Sequence, residues 1–124
     1  MNKGGHGTHG VRCVTADMPF LTNFPLADFH GAYRRAREGF AALTDERDGW
    51  RALGWFDTLS HAHRLDVPVM LTSGSEDTST PPATIESLFE KLPGTKSYTR
   101  LHGSRHRYSY EFIHLVTAWF RLYA

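Results

Sequence analysis

Residues 67–73, Val-Pro-Val-Met-Leu-Thr-Ser, form a nearly unbroken apolar run closed by Gly74. A strand without polar alternation is covered on both faces, as happens in parallel sheets with helices on either side. Pro68 stands near its start, where a missing N–H is tolerated. The rest of the chain must therefore supply parallel partners and covering helices. Val11–Ala16 is a β-branched run of strand length, and Lys96–Leu101 reads as a short polar strand for a sheet edge. Pro81-Pro82 opens a helix in which Ile85, Leu88, Phe89 and Leu92 recur at i, i+3, i+4 and i+7, and Pro93-Gly94 stops it. A last helix carries Phe112, Leu115, Val116, Trp119, Phe120 and Tyr123 on one wide stripe, expected to bury against the sheet.

Between the first two strands lies a long helical excursion. Asp17–Pro25 holds Pro19 and Pro25 and reads as an irregular loop. Asp28 is placed to cap a helix to about Leu43, with Phe29, Tyr33, Ala36, Phe40 and Leu43 on its apolar face. Shorter helices are expected over Asp45–Leu53 and Phe56–His63, the second with Asp57 near its start. Alternating strands and helices imply right-handed parallel crossovers. The expected fold class is α/β, with about three parallel strands flanked by helices. Residues 1–10, rich in Gly and His, are expected to be a flexible leader, and residues 11–124 one folded unit.

The 124 residues can build one core, not two. Fourteen Lys plus Arg face thirteen Asp plus Glu, a net charge of +1, which excludes nucleic-acid binding through bulk charge. No run of about 18 apolar residues exists to span a membrane, and residues 1–10 lack the apolar core of a secretion signal. The single cysteine, Cys13, cannot form an internal disulfide; a reducing compartment, the cytoplasm, is the expectation.

In open parallel sheets, ligands bind beyond the carboxyl ends of the strands. Two loops leave such ends with reactive groups: Gly74-Ser-Glu-Asp-Thr-Ser-Thr-Pro-Pro82 and His102-Gly-Ser-Arg-His106. A carboxylate from one and an imidazole from the other can meet there, the arrangement that orients a general-base histidine. The order, Asp77 and then His106 across one helix, matches the last two members of a Ser…Asp…His triad. On spacing alone, Asp77 reads first as a turn or cap residue and His106 as a solvated loop residue.

At these residues the sequence resembles a known family. Val14-Thr-Ala-Asp-Met-Pro-Phe-Leu-Thr-Asn-Phe24, Trp55-Phe-Asp-Thr-Leu59 with Arg64-Leu-Asp-Val-Pro-Val-Met-Leu71, the Asp77 loop ending in Pro-Pro, and Leu92-Pro-Gly94 occur in the order found in the acetyl xylan esterase / cephalosporin C deacetylase family. The resemblance covers about Val11–Ala124 and implies the C-terminal portion of an α/β-hydrolase fold. It places the triad acid at Asp77 and the triad histidine at His106, with His102 as the rival. It implies removal of acetyl groups from sugars by a serine mechanism, without metal or cofactor. No G-x-S-x-G nucleophile turn occurs in the sequence, and Ser75 and Ser104 belong to the acid and histidine loops. Two readings follow: a carboxyl-ester hydrolase whose serine comes from elsewhere, or an inactive fragment or interaction module derived from one. Another α/β-hydrolase, such as a dienelactone hydrolase or a peptidase, fits the two loops as well.

The remaining residues have simpler readings. His6, His9, His61 and His63 lack a four-ligand pattern and read as solvated. Cys13 reads as packing within the first strand, Arg34, Arg35 and Arg37 as a solvated helix face, and Trp50, Trp55 and Phe56 as core. The outer edge of the first strand is expected to be unpaired and apolar, which invites self-association.

Overall fold

The computed structural model describes residues 10–27, 31–43 and 45–124. In chain order the elements are β1 (Val14–Asp17), α1 (Phe24–Ala27), α2 (Gly31–Leu43), α3 (Glu46–Gly54), α4 (Thr58–His61), a 3-10 turn (Ala62–Arg64), β2 (Val69–Gly74), α5 (Pro82–Lys91), β3 (Lys96–Leu101) and α6 (Tyr110–Tyr123). The strands form one parallel sheet, β1-β2-β3, with Val69 opposite both Val14 and Lys96. β2 is central and buried at every position, which is what its apolar run demands. The polar β3 forms one edge and is mostly half-buried.

The first strand starts later than its β-branched residues suggest. Val14 N–H donates to the Pro68 carbonyl at 2.9 Å, and β2 begins only at Val69, so among the described residues Val11–Cys13 have no strand beside them. Cys13 is therefore half-buried ahead of the strand rather than within it. Among the described residues the outer edge of β1 has no partner.

The excursion is helical as expected, with two adjustments. The expected cap Asp28, together with Phe29, lies outside the described residues, as do His6 and His9. The loop expected through Pro25 gives way to a helical turn at Phe24, because proline suits a first turn and Asn23 Oδ1 accepts from Leu26 N–H at 3.3 Å. Asp45 and Asp57 then cap α3 and α4, accepting from Arg47 N–H and Leu59 N–H, each at 2.9 Å.

Two apolar clusters result. Val69 and Leu71 of β2 pack with Ile85, Leu88 and Leu92 of the α5 region and with Ala62. Separately, Phe24, Ala27, Tyr33 and Leu53 pack together, with Phe40 and Trp50 half-buried against them. Trp55 and Phe56 do not join either core; they are 74% and 66% exposed. They occupy the turn between α3 and α4, where the backbone turns Asp57 inward and its two neighbours outward. The α6 stripe also departs from expectation: only Trp119 is buried, and Phe120 is 43% exposed. Apolar residues at 112, 113, 115, 116, 119, 120, 122 and 123 run most of the way round that helix. A helix resting on one sheet buries a single stripe, so the remainder stays at the surface.

Candidate active site

Because all three strands are parallel, the loops after β2 and β3 emerge at the same end of the sheet. Asp77 follows β2 directly, and its side chain is fully buried. Its Oδ1 accepts from the backbone N–H groups of Ser79 at 2.8 Å and Thr80 at 2.9 Å, a tight Asx-type turn. Its Oδ2 accepts from the Thr80 hydroxyl at 2.5 Å. Burial by itself would raise the Asp77 carboxyl. The bonds from Thr80, His106 and Ser79 outweigh it and hold the group below the ordinary carboxylate value. Asp77 is thus an anion at neutral pH.

The loop after β3 brings an imidazole to that anion. His106 Nδ1 lies 2.9 Å from Asp77 Oδ2, while 46% of the His106 side chain remains exposed. The two loops are tied together by backbone. Glu76 N–H donates to the Ser104 carbonyl at 2.9 Å, Ser75 N–H to the Leu101 carbonyl at 2.9 Å, and Gly103 N–H to Ser75 Oγ at 2.8 Å. Their approach depends on Gly74: a Cβ there would lie 2.4 Å from the Ser104 carbonyl oxygen. Gly103, at φ +65°, allows the turn that starts the histidine loop.

The rival imidazole does not reach Asp77. His102 stands exposed at the end of β3 and lines an open surface cleft with Ser104, Tyr108 and Tyr110. Ser75 Oγ accepts from Gly103, and Ser104 Oγ donates to the Arg105 carbonyl at 3.3 Å, so both loop serines are engaged with the backbone. His61 Nε2 is 2.9 Å from the Trp55 carbonyl oxygen, and no cluster of three or more metal-ligating side chains occurs among the described residues. Arg34 and Arg35 lie on the exposed side of α2, and Arg37 is half-buried. No helix among the described residues is long and apolar enough to cross a membrane.

A third loop, after β1, comes to the same end of the sheet. Met18, Leu21 and Asn23 all take left-handed backbone angles, with φ of 46°, 58° and 51°. Such residues cost of order 1 kcal/mol each and persist only when their surroundings fix them. Asp57 does so across 34 residues of sequence. Its Oδ1 accepts from Asn23 N–H at 2.8 Å and its Oδ2 from Phe24 N–H at 2.9 Å, while Thr58 N–H donates to the Leu21 carbonyl at 2.8 Å. Tyr33 is buried beneath this loop and its hydroxyl accepts from Thr22 N–H at 3.5 Å. Burial, chiefly, pushes that phenol above its ordinary value.

Two contributors here leave little trace in the sequence. Thr80 was visible only as the residue before Pro81-Pro82. Asp57 was readable as a helix cap, but its hold on Asn23 and Phe24 left no local signal.

Comparison with known proteins bears on the family and the fold. The family model for acetyl xylan esterase matches residues 8–122. An acetyl xylan esterase from Paenibacillus sp. R4 superposes with a TM-score of 0.84 at 21% identity, over 91% of this chain and 38% of that one. Acetyl xylan esterase 1 from Thermoanaerobacterium sp. JW/SL YS485 superposes with a TM-score of 0.78 at 22% identity, over 87% and 37%. The chain thus spans less than two fifths of either structure, and at these identities the likeness is one of fold, of the α/β-hydrolase type. A proline iminopeptidase of Lacticaseibacillus rhamnosus (strain Lc 705) is 35% identical over 68 residues, which is 52% of this chain and 23% of that protein.

Proposed function

The chain belongs to the acetyl xylan esterase family, and on that footing we propose that it supplies the acid and the base of a carboxyl-ester hydrolase acting on acetylated sugars. The observation that supports this most directly is the 2.9 Å contact between His106 Nδ1 and a fully buried Asp77 carboxylate. Asp77 keeps the proton on Nδ1 and leaves Nε2 free to act as base. A serine hydroxyl from a segment outside these 124 residues attacks the acetyl carbonyl, and His106 Nε2 takes its proton. The tetrahedral adduct collapses as the carbon–oxygen bond to the sugar breaks, and His106 returns the proton to the sugar oxygen. Water then attacks the acetyl-serine with His106 again as base; the bond from the acyl carbon to the serine oxygen breaks, His106 returns the proton to that oxygen, and acetate leaves. Asp77 remains an anion throughout and stabilises the imidazolium.

The test is reconstitution. The purified chain alone is expected to leave p-nitrophenyl acetate unhydrolysed, since loss of the nucleophile costs about 10⁶-fold in kcat. Adding a polypeptide that carries the nucleophile portion of an acetyl xylan esterase restores turnover, and His106→Ala or Asp77→Asn in this chain abolishes it. Turnover by the chain alone, or reconstituted turnover indifferent to His106→Ala, defeats the proposal.

A second reading is favoured by the open edge of β1 and the absent G-x-S-x-G: a catalytically silent remnant or interaction module. Its partner is another β-segment, including a second copy of the chain. Val14 N–H bonds to Pro68, just before β2, and Met18 N–H to Thr72 of β2, so Thr15 N–H faces outward. Thr15→Pro should abolish concentration-dependent association in sedimentation while leaving the β1–β2 ladder intact. The half-buried free thiol of Cys13 supports the cytoplasm as the compartment of either form.

A further inference from the structure

Thr80 forms a triangle with the acid and the histidine. It is fully buried, and its Oγ1 lies 2.5 Å from Asp77 Oδ2 and 3.1 Å from His106 Nδ1. We infer that Thr80 is a positioning residue that fixes both the orientation of the Asp77 carboxylate and the tautomer of His106. The inference deepens the esterase reading and rests on it for its catalytic meaning.

Valence decides the roles within the triangle. A hydroxyl carries one proton and two lone pairs, and an ionised carboxylate only accepts. The Thr80 proton therefore goes to Asp77 Oδ2, and what Oγ1 presents to His106 is a lone pair. His106 Nδ1 then faces two acceptors, Oδ2 at 2.9 Å and Oγ1 at 3.1 Å. Only an N–H satisfies both, so a neutral His106 carries its proton on Nδ1 and its lone pair on Nε2.

The same residue locks the carboxylate against rotation. Thr80 N–H holds Oδ1 while Thr80 Oγ1 holds Oδ2, one residue gripping both oxygens. The side chain is well suited to this. A β-branched residue has few χ1 states, and the following Pro81 restricts the backbone of residue 80 to extended angles. The hydroxyl is thus fixed from both directions before any substrate arrives.

The test uses the isolated chain, isotope-labelled, so that it stands whether or not ester hydrolysis is the activity. Thr80→Val keeps the shape and removes the hydroxyl; Thr80→Ser keeps the hydroxyl. All variants retain Tyr33 and Asp57, the other ionisable groups buried at this end of the sheet. In Thr80→Val the Asp77 carboxyl carbon should titrate at a higher pH than in the parent, since its strongest stabilising bond is gone. The low-field His106 Nδ1 proton resonance should shift or exchange away. Thr80→Ser should restore both signals. A folded Thr80→Val with both signals unchanged overturns the assignment. If Thr80→Val does not fold, Thr80→Cys, whose thiol is a weak donor, is read in the same way; collapse of both would make Thr80 a folding residue and equally overturn it. In reconstituted enzyme, Thr80→Val should lower kcat about tenfold and leave KM in place. Failure of reconstitution with the parent chain would count against the esterase reading alone.

Discussion

Gly74→Ala should separate the acid from the histidine without touching either. The added Cβ would lie 2.4 Å from the Ser104 carbonyl oxygen and 3.1 Å from that of Arg105, both backbone atoms of the histidine loop. Real Cβ atoms essentially never come within 3.0 Å of a heavy atom from beyond their chain neighbours, so the loop must retreat by at least 0.6 Å. The Glu76–Ser104 backbone bond, 2.9 Å in the parent, is the first to be lost, at about 1 kcal/mol. Overpacking adds about 1–3 kcal/mol, for a total of about 2–4 kcal/mol. If the loop moves as one body, the His106–Asp77 contact opens from 2.9 Å toward about 3.5 Å, beyond useful hydrogen-bonding distance. Urea denaturation followed by circular dichroism measures the first effect, and the Nδ1 proton resonance measures the second. Gly39→Ala is the control: nothing lies within 4 Å of a Cβ there, and in the middle of α2 alanine should stabilise by up to about 1 kcal/mol. An unfolding midpoint and an Nδ1 signal both unchanged in Gly74→Ala would refute the reasoning.

Two further outcomes follow from buried carboxylates. Asp57→Asn places an amide nitrogen against Phe24 N–H or Asn23 N–H, leaving a donor unpaired; urea unfolding should show a loss of about 2–3 kcal/mol, and a loss under about 0.5 kcal/mol would count against the clamp. Asp77 titrates lower when folded than when unfolded, so the stability it contributes is complete above the ordinary value of 3.8 and disappears as pH falls through the lower folded value. Unfolding midpoints between pH 6 and pH 2.5 should fall less steeply in Asp77→Asn than in the parent; parallel declines would contradict this.

Much of the sheet was legible because burial leaves a mark in sequence. The Val67–Ser73 run could only be a covered central strand, and the polar Lys96–Leu101 only an edge. The loops bearing Asp77 and His106 could be placed at one end of the sheet from topology alone. What sequence did not disclose depends on contacts distant along the chain. Asp57 meets Asn23 across 34 residues, and nothing near either residue announces it. The left-handed turns at Met18, Leu21 and Asn23 contain no glycine to betray them. Trp55 and Phe56 read as core because large aromatic residues usually are; their exposure follows from the inward turn of Asp57 between α3 and α4. The late start of β1 was hidden because strand propensity cannot tell where a partner begins.

The two apolar clusters share no residue. The sheet cluster holds β2 and α5, and the other is built within the excursion by α1, α2 and α3. Their joins include Asn23 Nδ2 donating to Ser87 Oγ at 3.0 Å and the packing of α1 and α4 on α5. Unfolding can therefore proceed in two stages. Amide exchange in α2 and α3 should report a local opening of lower free energy than that of β2. The α1–α3 part of the excursion is expected to loosen, or be rewritten by mutation, while the floor on which Asp77 and His106 meet stays shut, because Ala62 at the end of the excursion belongs to the sheet cluster.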